Sequence, residues 1–228
     1  MEKTEIKERP IIMGAESVRA ILEGRKTQTR RVIKPQPSVT YHWSGDAYEE
    51  GGMVKAVLSS KPTIHFDYMP KCRWQVGDLL WVRETFVDEG SFFGTLNIRT
   101  VKDPEGIESE IIYRADDNDF VWTKDDGTID FDKKKRRCAS HWKSPIFMPR
   151  WASRITLEIT DIRVERVQDI TENDARAEGM TSPLRYIGAL RDAYIKTWNS
   201  LNAKRGYPWE SNPWVWVVSF KVVKNGKE

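Results

Sequence analysis

The sequence predicts a mainly β fold with a few short helices, in which the strands form a small mixed barrel rather than a doubly wound sheet. Three stretches carry this prediction: residues 79–82, 155–167 and 214–223. The first is apolar on both faces, as in a central strand, and the second alternates apolar and polar residues, as in a half-buried strand. The third is rich in β-branched and aromatic residues, and we expect it to close the edge of the barrel.

The first sixty residues begin with a strand and a helix. The apolar run 9–13 suits a first strand, and a helix is predicted between Glu16 and Gly24. Its buried face has the i, i+3, i+4 spacing: Val18, Ile21 and Leu22. Ser17 is the predicted N-cap, and Gly24 the left-handed residue that ends the helix.

Two segments are predicted to be insertions into a single domain that spans residues 1–228. Residues 38–75 are rich in glycine, serine, proline and charge, and we expect little regular structure there. Residues 88–140 contain a strand at 111–114 and a basic run at 133–137. That run has two interpretations, a solvated face or a patch that binds phosphates.

The C-terminal part contains two predicted helices. Thr171 and Asp174 form a pattern close to a capping box, and the helix that they begin should end at Gly179. A second helix is predicted over residues 184–199. Its apolar face consists of Ile187, Leu190, Tyr194 and Trp198.

Composition limits the classes of partner. Lysine plus arginine number 37 against 34 for aspartate plus glutamate, so the net charge of +3 favours nucleic acid only weakly. Cys72 and Cys138 lie far apart, and the histidines lack metal-ligand spacing, so we expect no metal and no cofactor. The charged N-terminus and the lack of a long apolar run predict a cytoplasmic protein with no membrane partner.

The stretch from Gly24 to Arg31 places cations and hydroxyl groups at a helix-to-strand corner. Gly24, Lys26 and Arg31 fit a G-x-K-x-x-x-x-R pattern, which resembles the signature of the ASCH family. The resemblance implies a PUA-like fold linked to RNA and modified nucleosides. It covers four blocks, about half of the chain: residues 10–34, 76–87, 143–180 and 212–223. Residues 81–86 and 148–154 resemble the longer ASCH proteins of phage and prophage regions.

The resemblance extends to a branch that hydrolyses N4-acetylcytidine without a metal. Lys26 and Thr29 match its Lys-x-x-Thr, and the segment 170–180 resembles the one with its essential glutamate, here Glu178. By this resemblance Lys26 is the base, Thr29 the nucleophile and Glu178 a general acid or electrostatic aid. Strand alternation alone puts Lys26 and Thr29 on opposite faces, so the mechanism needs a turn or bulge between them.

Further residues are candidate ligand contacts. They are Gly24, Arg31, Arg83, Glu84, Arg150, Trp151 and Arg154. The guanidinium fork suits a phosphate or a base edge, and an indole ring suits stacking on a base. Each of these residues has a structural alternative, an ion pair or core packing. Lys26, Thr29 and Glu178 likewise have ordinary alternatives: a solvated lysine, a β-prone threonine and an exposed glutamate.

The function predicted from the sequence is therefore that of an ASCH-domain protein that binds RNA or a modified nucleoside and hydrolyses the acetyl amide of N4-acetylcytidine. Two alternatives remain open. One is an RNA-binding module without catalysis, and the other is a single-strand ribonuclease in which Lys26 and Arg31 stabilise a phosphate transition state.

Overall fold

The computed structural model describes residues 6–42, 45–50, 53–58, 63–87, 99–116, 142–184 and 186–224. As the sequence predicts, these residues form a mainly β fold with a few short helices. The strands are β1 (Glu8–Ile12), β2 (Gln28–Val32), β3 (Ser38–His42), β4 (Gly45–Glu50), β5 (Met53–Leu58), β6 (Thr63–Tyr68), β7 (Leu79–Arg83), β8 (Phe86–Val87), β9 (Arg99–Lys102), β10 (Glu108–Tyr113), β11 (Thr156–Arg166) and β12 (Trp214–Lys224).

Three α-helices accompany the strands in the described residues. They are α1 (Ala15–Leu22), α2 (Glu172–Ala177) and α3 (Ala189–Asn202). Among the helices in the described ranges, none has both the length and the apolar character needed to span a membrane.

The main sheet of the described residues has five strands in the order β1-β7-β11-β12-β2. It is mixed, because β1 runs parallel to β7 whereas the other neighbours are antiparallel. The predicted antiparallel pairing of β11 and the central position of β7 are confirmed. β12 lies inside the sheet, so the expectation that it closes an edge is wrong. The edges are β1 and β2, and no closed circuit of paired strands joins them within the described residues.

Alternating side chains of β12 face two different cores. Val218 and Phe220 face the cluster that also includes Val18 and Ile21 of α1. Val215 and Val217 face a second cluster, which includes Tyr194 and Trp198 of α3 and Ala175 of α2. The sheet is therefore covered by α1 on one face and by α2 and α3 on the other, and each residue of an adjoining strand faces one of these two layers.

Several sequence predictions for the helices need correction. α1 begins after an N-cap at Gly14, earlier than Ser17, and Ser17 does not cap it. α3 begins at Ala189 rather than at residue 184, because Gly188 takes a left-handed conformation with φ of 101°. Ile187 is therefore outside the helix and fully exposed, whereas Leu190, Tyr194 and Trp198 do face the core. The capping box of Thr171 and Asp174 is confirmed.

The segment 38–75 contains more regular structure than its composition indicates. β3 pairs with β6, and β4 pairs with β5, each as a separate antiparallel ladder. Short β-prone runs alternate with the turn residues in this segment, and the glycine, serine and proline content masks them. In the second predicted insertion, the strand at 111–114 corresponds to β10, and the basic run 133–137 lies outside the described residues.

A buried ion-pair network ties the small sheet β8-β10-β9 to the main sheet. Arg154 Nε and Nη2 lie 2.8 and 2.9 Å from the two oxygens of Glu84, which directly follows β7. Arg154 Nη1 lies 2.7 Å from Asp116, and its guanidinium stacks 4.0 Å above the ring of Tyr113 at the end of β10. Because a buried charge without a partner is expensive, these groups hold the two sheets in one arrangement.

We expect Glu84→Gln to lower the free energy of unfolding by about 3 kcal/mol, because it leaves the buried Arg154 short of a counter-charge. Urea unfolding would measure the change. Glu108→Gln is the control, since its pair with Lys102 is exposed on both sides and should contribute less than about 1 kcal/mol. Equal effects of the two substitutions would contradict the structural role given to Glu84.

Candidate functional site

Lys26 and Glu178 lie 152 residues apart in the chain and form a direct buried contact. Lys26 Nζ donates to Glu178 Oε2 at 2.6 Å and to the Glu178 backbone carbonyl at 2.8 Å. The two side chains are only 4% and 5% exposed. The alternatives of a solvated lysine and an exposed glutamate therefore do not describe these residues, although the contact alone assigns no chemistry to them.

Local backbone structure brings the two residues together. Gly24 takes a left-handed conformation after α1, with φ of 74°, as the sequence predicts. The chain then turns back, and the amide of Lys26 donates to the carbonyl of Ala20. Next, the amide of Thr27 donates to the carbonyl of Ala177, so that Lys26 and Glu178 form an isolated antiparallel bridge. The last turn of α2 is thus held against the residues that lead into β2.

Gly179 allows this close approach. It follows Glu178 with φ of 87°, a conformation that residues with a Cβ rarely adopt. A Cβ at Gly179 would lie 2.7 Å from Cβ of Ala20 and 3.1 Å from Cβ of Lys26. A larger residue here would push α2 away from α1 and from Lys26. The glycine that ends the helix therefore also sets the position of the Glu178 carboxylate.

Arg30 is the residue of this site that sequence reasoning missed. Its side chain is fully buried, and its guanidinium lies 2.9 Å from Glu165, 3.5 Å from Asp174 and 3.4 Å from Glu178. It therefore shares the Glu178 carboxylate with Lys26. The signal was present in the sequence, because strand alternation puts residues 28 and 30 on one face of β2, and Lys26 precedes them by the same spacing.

Asp174 connects the start of α2 to the same face of β2. Its carboxylate accepts hydrogen bonds from the amide and hydroxyl of Thr171 at the N-cap, from Gln28 of β2 and from Arg163 of β11. Burial alone would raise its pKa, but the hydrogen bonds from Thr171 and Gln28 and the charge of Arg30 outweigh burial and lower the pKa to about 2. Asp174 therefore stays ionised and holds α2 on the sheet.

The protonation of Lys26 is set by opposing effects. Burial lowers the pKa of Lys26, whereas the Glu178 carboxylate raises it through its charge and its hydrogen bond. Arg31 and Arg30 lower it further, and the net direction is down. A lysine of this kind releases its proton more readily than a solvated lysine and can act as a base or bind an acceptor group.

Thr29 lies on the other face of β2. It pairs directly with Val218 of β12, which faces the core under α1, and the register from residue 28 to residue 32 contains no bulge. The turn or bulge that the mechanism requires is therefore absent from β2 itself. Thr29 is 4% exposed, and its hydroxyl forms no hydrogen bond among the described residues. Its role as nucleophile stays a prediction.

Arg31 also faces away from Arg30. It lies opposite Trp216 of β12, and its Nη2 donates to the carbonyl of Ile12 at 2.8 Å. Arg31 therefore connects β2 to the end of β1, the other edge of the sheet. Burial lowers the pKa of Arg31, whereas the charge of Glu178 raises it. The charges of Arg73 and Arg205 lower it further, and the net direction is down.

The remaining predicted ligand residues are divided between two other locations. Arg154 and Glu84 form the buried ion-pair network described above, which is the structural alternative for these residues, and their contact with a ligand stays a prediction. Arg83 stacks 4.6 Å from the ring of Trp81, and Arg150 lies 5.8 Å from the same ring.

Arg150 also pairs with Glu8 of β1. Trp151, which sequence reasoning placed between the two arginines as a stacking ring, instead packs against the core cluster that contains Phe86. The ring that lies near two arginines, Arg83 and Arg150, is thus Trp81.

Over the ranges that the structure describes, no group of three or more histidine, cysteine, aspartate or glutamate residues is placed to hold a metal ion. Comparisons of the chain with protein-family models, with curated proteins and with solved structures found no match. Membership of the ASCH family thus remains a resemblance carried by the residues themselves.

We expect Gly179→Ala to lower the free energy of unfolding by about 2 kcal/mol or more, because it adds a clash with Ala20 to an unfavourable left-handed conformation. Gly24→Ala is the matched control. Gly24 has a similar φ of 74° with nothing within 4 Å of the added Cβ, so only the conformational cost of about 1 kcal/mol applies. Urea unfolding of both variants would measure the difference, and a smaller loss for Gly179→Ala would contradict the packing argument.

Acid should weaken the attachment of α2 to the sheet. The pKa of Asp174 is lower in the folded protein, at about 2, than its ordinary value of 3.8. Its stabilising contribution is therefore complete above the ordinary value and declines as the pH falls from about 4 to about 2. We expect the urea midpoint to fall over this window in the wild type and to fall less steeply in Asp174→Asn. Parallel curves for the two proteins would refute this assignment.

Proposed function

We propose that the protein binds a nucleoside, free or within RNA, at the Lys26–Glu178 pair and removes the acetyl group of N4-acetylcytidine there. One observation carries this proposal: a lysine and a glutamate singled out by separate sequence patterns meet in a buried contact of 2.6 Å. Chance similarity of two short motifs gives no reason for such a contact between residues 152 positions apart.

The chemistry required is modest. Hydrolysis of the amide converts N4-acetylcytidine and water into cytidine and acetate. Lys26 passes its proton to the Glu178 carboxylate across their hydrogen bond and, once neutral, accepts a proton from the attacking hydroxyl, a role that the lowered pKa of Lys26 favours. Thr29 forms an ester with the acetyl carbon as the bond to N4 breaks, Glu178 donates a proton to N4, and water then hydrolyses the ester.

Arg31 supports the proposed PUA-like architecture. Its hydrogen bond to the Ile12 carbonyl joins β2 to the end of β1. These are the two edge strands of the main sheet, and they do not pair with each other in the described residues. Ile11 and Met13 also pack in the same core cluster as Val218 and Phe220 of β12. A curled sheet whose edges are joined by a side chain and a shared core is compatible with a barrel-like fold.

A second candidate, nucleoside or RNA binding without hydrolysis, is favoured by the position of Thr29. Its side chain faces the core under α1, whereas Lys26 shares a carboxylate with Arg30, which faces α2. No direct hydrogen bond joins Lys26 to Thr29 among the described residues. In this candidate the lysine and glutamate bind a base edge and no covalent bond changes.

The two candidates differ in their products. With N4-acetylcytidine as the substrate and cytidine measured by liquid chromatography, we expect turnover by the wild type and a loss of about 100-fold or more in Lys26→Ala and Glu178→Gln. Thr29→Ala should be inactive and Thr29→Ser partly active, because only the serine keeps a hydroxyl nucleophile.

Thr27→Ala is the matched control, since Thr27 is exposed on the same stretch of chain. Full activity of Thr29→Ala would remove Thr29 as the nucleophile. Absence of cytidine from every reaction, together with binding of N4-acetylcytidine or of single-stranded RNA in calorimetry, would favour the second candidate. Absence of both turnover and binding would refute the proposal.

A further inference from the structure

Tyr194 of α3 is a buried hydroxyl group that neither the sequence patterns nor the proposed mechanism uses. Its side chain is 4% exposed, and its ring packs against Trp198 and Trp209 with centroid distances of 6.1 and 6.4 Å. The ring is therefore fixed in the second core cluster. Tyrosine hydroxyls that are buried this deeply usually have a hydrogen-bond partner.

The hydroxyl of Tyr194 forms no hydrogen bond within the described residues. In the described part of the chain, the polar atoms that are both enclosed and without a partner are the Nε atoms of Arg9, Arg30 and Arg83 and the indole nitrogens of Trp74 and Trp214. The residue as a whole keeps 4% of its surface exposed, so its enclosure is not complete.

The surroundings of Tyr194 place it beside the Lys26–Glu178 pair. Its core cluster includes Ala175, which precedes Glu178 by less than one turn of α2, and Val217, which lies directly opposite Arg30 in the sheet. Glu178 and Arg30, already in mutual contact at 3.4 Å, both act electrostatically on the Tyr194 hydroxyl. Tyr194 therefore packs on the side of the sheet that also holds Arg30 and the end of α2.

The hydroxyl is a donor at any ordinary pH. Burial raises the pKa of Tyr194 well above its usual value, and Glu178 raises it further, against the smaller opposite effects of Arg30 and Arg31. A protonated phenol with a free donor position suits an acceptor atom that carries or develops negative charge. The amide carbonyl oxygen of an acylated base is such an atom, because it becomes an oxyanion during attack.

We infer that Tyr194 is a further ligand-contacting residue of this site, and that its hydroxyl donates a hydrogen bond to the acyl oxygen of the bound amide. This inference rests on the proposed function. It also narrows the ligand class, since a base whose acyl group has been removed lacks the acceptor. The site should therefore distinguish N4-acetylcytidine from cytidine through Tyr194 rather than through Lys26 or Glu178 alone.

Tyr194→Phe tests this inference, because it removes only the hydroxyl and keeps the ring against Trp198 and Trp209. We expect kcat on N4-acetylcytidine to fall by about 10²-fold or more, as on loss of an oxyanion donor, with a much smaller change in KM. The temperature of unfolding should stay within about 1–2 °C of the wild type, since no hydrogen bond within the protein is lost.

Tyr113→Phe is the matched control for a structural hydroxyl. Tyr113 is also buried, and its hydroxyl donates to the carbonyl of Ala152 at 2.7 Å. We expect this variant to lower the temperature of unfolding by several degrees and to leave kcat unchanged. The two phenylalanine variants should therefore show opposite patterns of activity and stability.

The remaining outcomes separate this inference from the proposed function. If Tyr194→Phe keeps the wild-type kcat while Lys26→Ala and Glu178→Gln lose activity, the site is correct and the role of Tyr194 is wrong. If the wild type binds N4-acetylcytidine without hydrolysing it, the inference is tested by comparing its affinities for N4-acetylcytidine and for cytidine in calorimetry. A preference that Tyr194→Phe abolishes supports the inference, and an unchanged preference, or no binding at all, overturns it.

Discussion

The contact between Lys26 and Glu178 is the constraint on which the arrangement of the site depends. Glu178 is the C-cap of α2, where the helix dipole disfavours a carboxylate, and it is buried, where water does not stabilise its charge. Both costs require a cation within bonding distance. Lys26 meets the requirement with two hydrogen bonds, one to the carboxylate and one to the Glu178 carbonyl. Removing Glu178 would leave Lys26 without the carboxylate that it binds, and removing Lys26 would leave Arg30, at 3.4 Å, as the cation beside Glu178.

The same contact determines which charges lie together on the sheet. Because Lys26 enters β2 on the side of α2, the alternation of the strand sends Gln28 and Arg30 towards α2 and sends Thr29 and Arg31 towards α1. The first set forms a buried charge network with Glu165 and Asp174. The second set joins the aliphatic core and the end of β1. One short motif therefore supplies residues to both layers of the fold.

The fold was predictable where a single pattern decided the structure. The long alternation over β11, the two-sided apolar run of β7 and the capping box of α2 each depend on local chemistry. Errors arose where tertiary context or turn geometry decided. Gly188 begins α3 later than periodicity indicates, and β12 lies inside the sheet because β2 pairs with its outer side. Propensity gives the existence of a strand, but not its neighbours.

The site was predictable in part for the same reason. The motif indicated Lys26 and Glu178, and burial of the helix C-cap explains why such a glutamate requires a partner. Arg154 and Glu84 are candidates for ligand contact because charged pairs at strand ends serve both binding and structure, and their mutual bidentate pairing is visible only in the folded structure. Tyr194 carried no sequence signal, since a tyrosine on the apolar face of a helix is ordinarily core.

The position of β2 at the edge of the sheet limits how the two layers can act on one ligand. A ligand over the α2 face alone would contact Lys26 and Glu178 but would be separated from Thr29 by the strand itself. Since β2 has a paired neighbour, β12, on one side only, a ligand could reach both faces only around the unpaired side. Glu178 covers that side next to Lys26, and Arg31 covers it where its side chain reaches the Ile12 carbonyl. A threonine mechanism thus requires the segment between these two contacts, Thr27 to Arg30, to be the entrance, whereas simple binding does not.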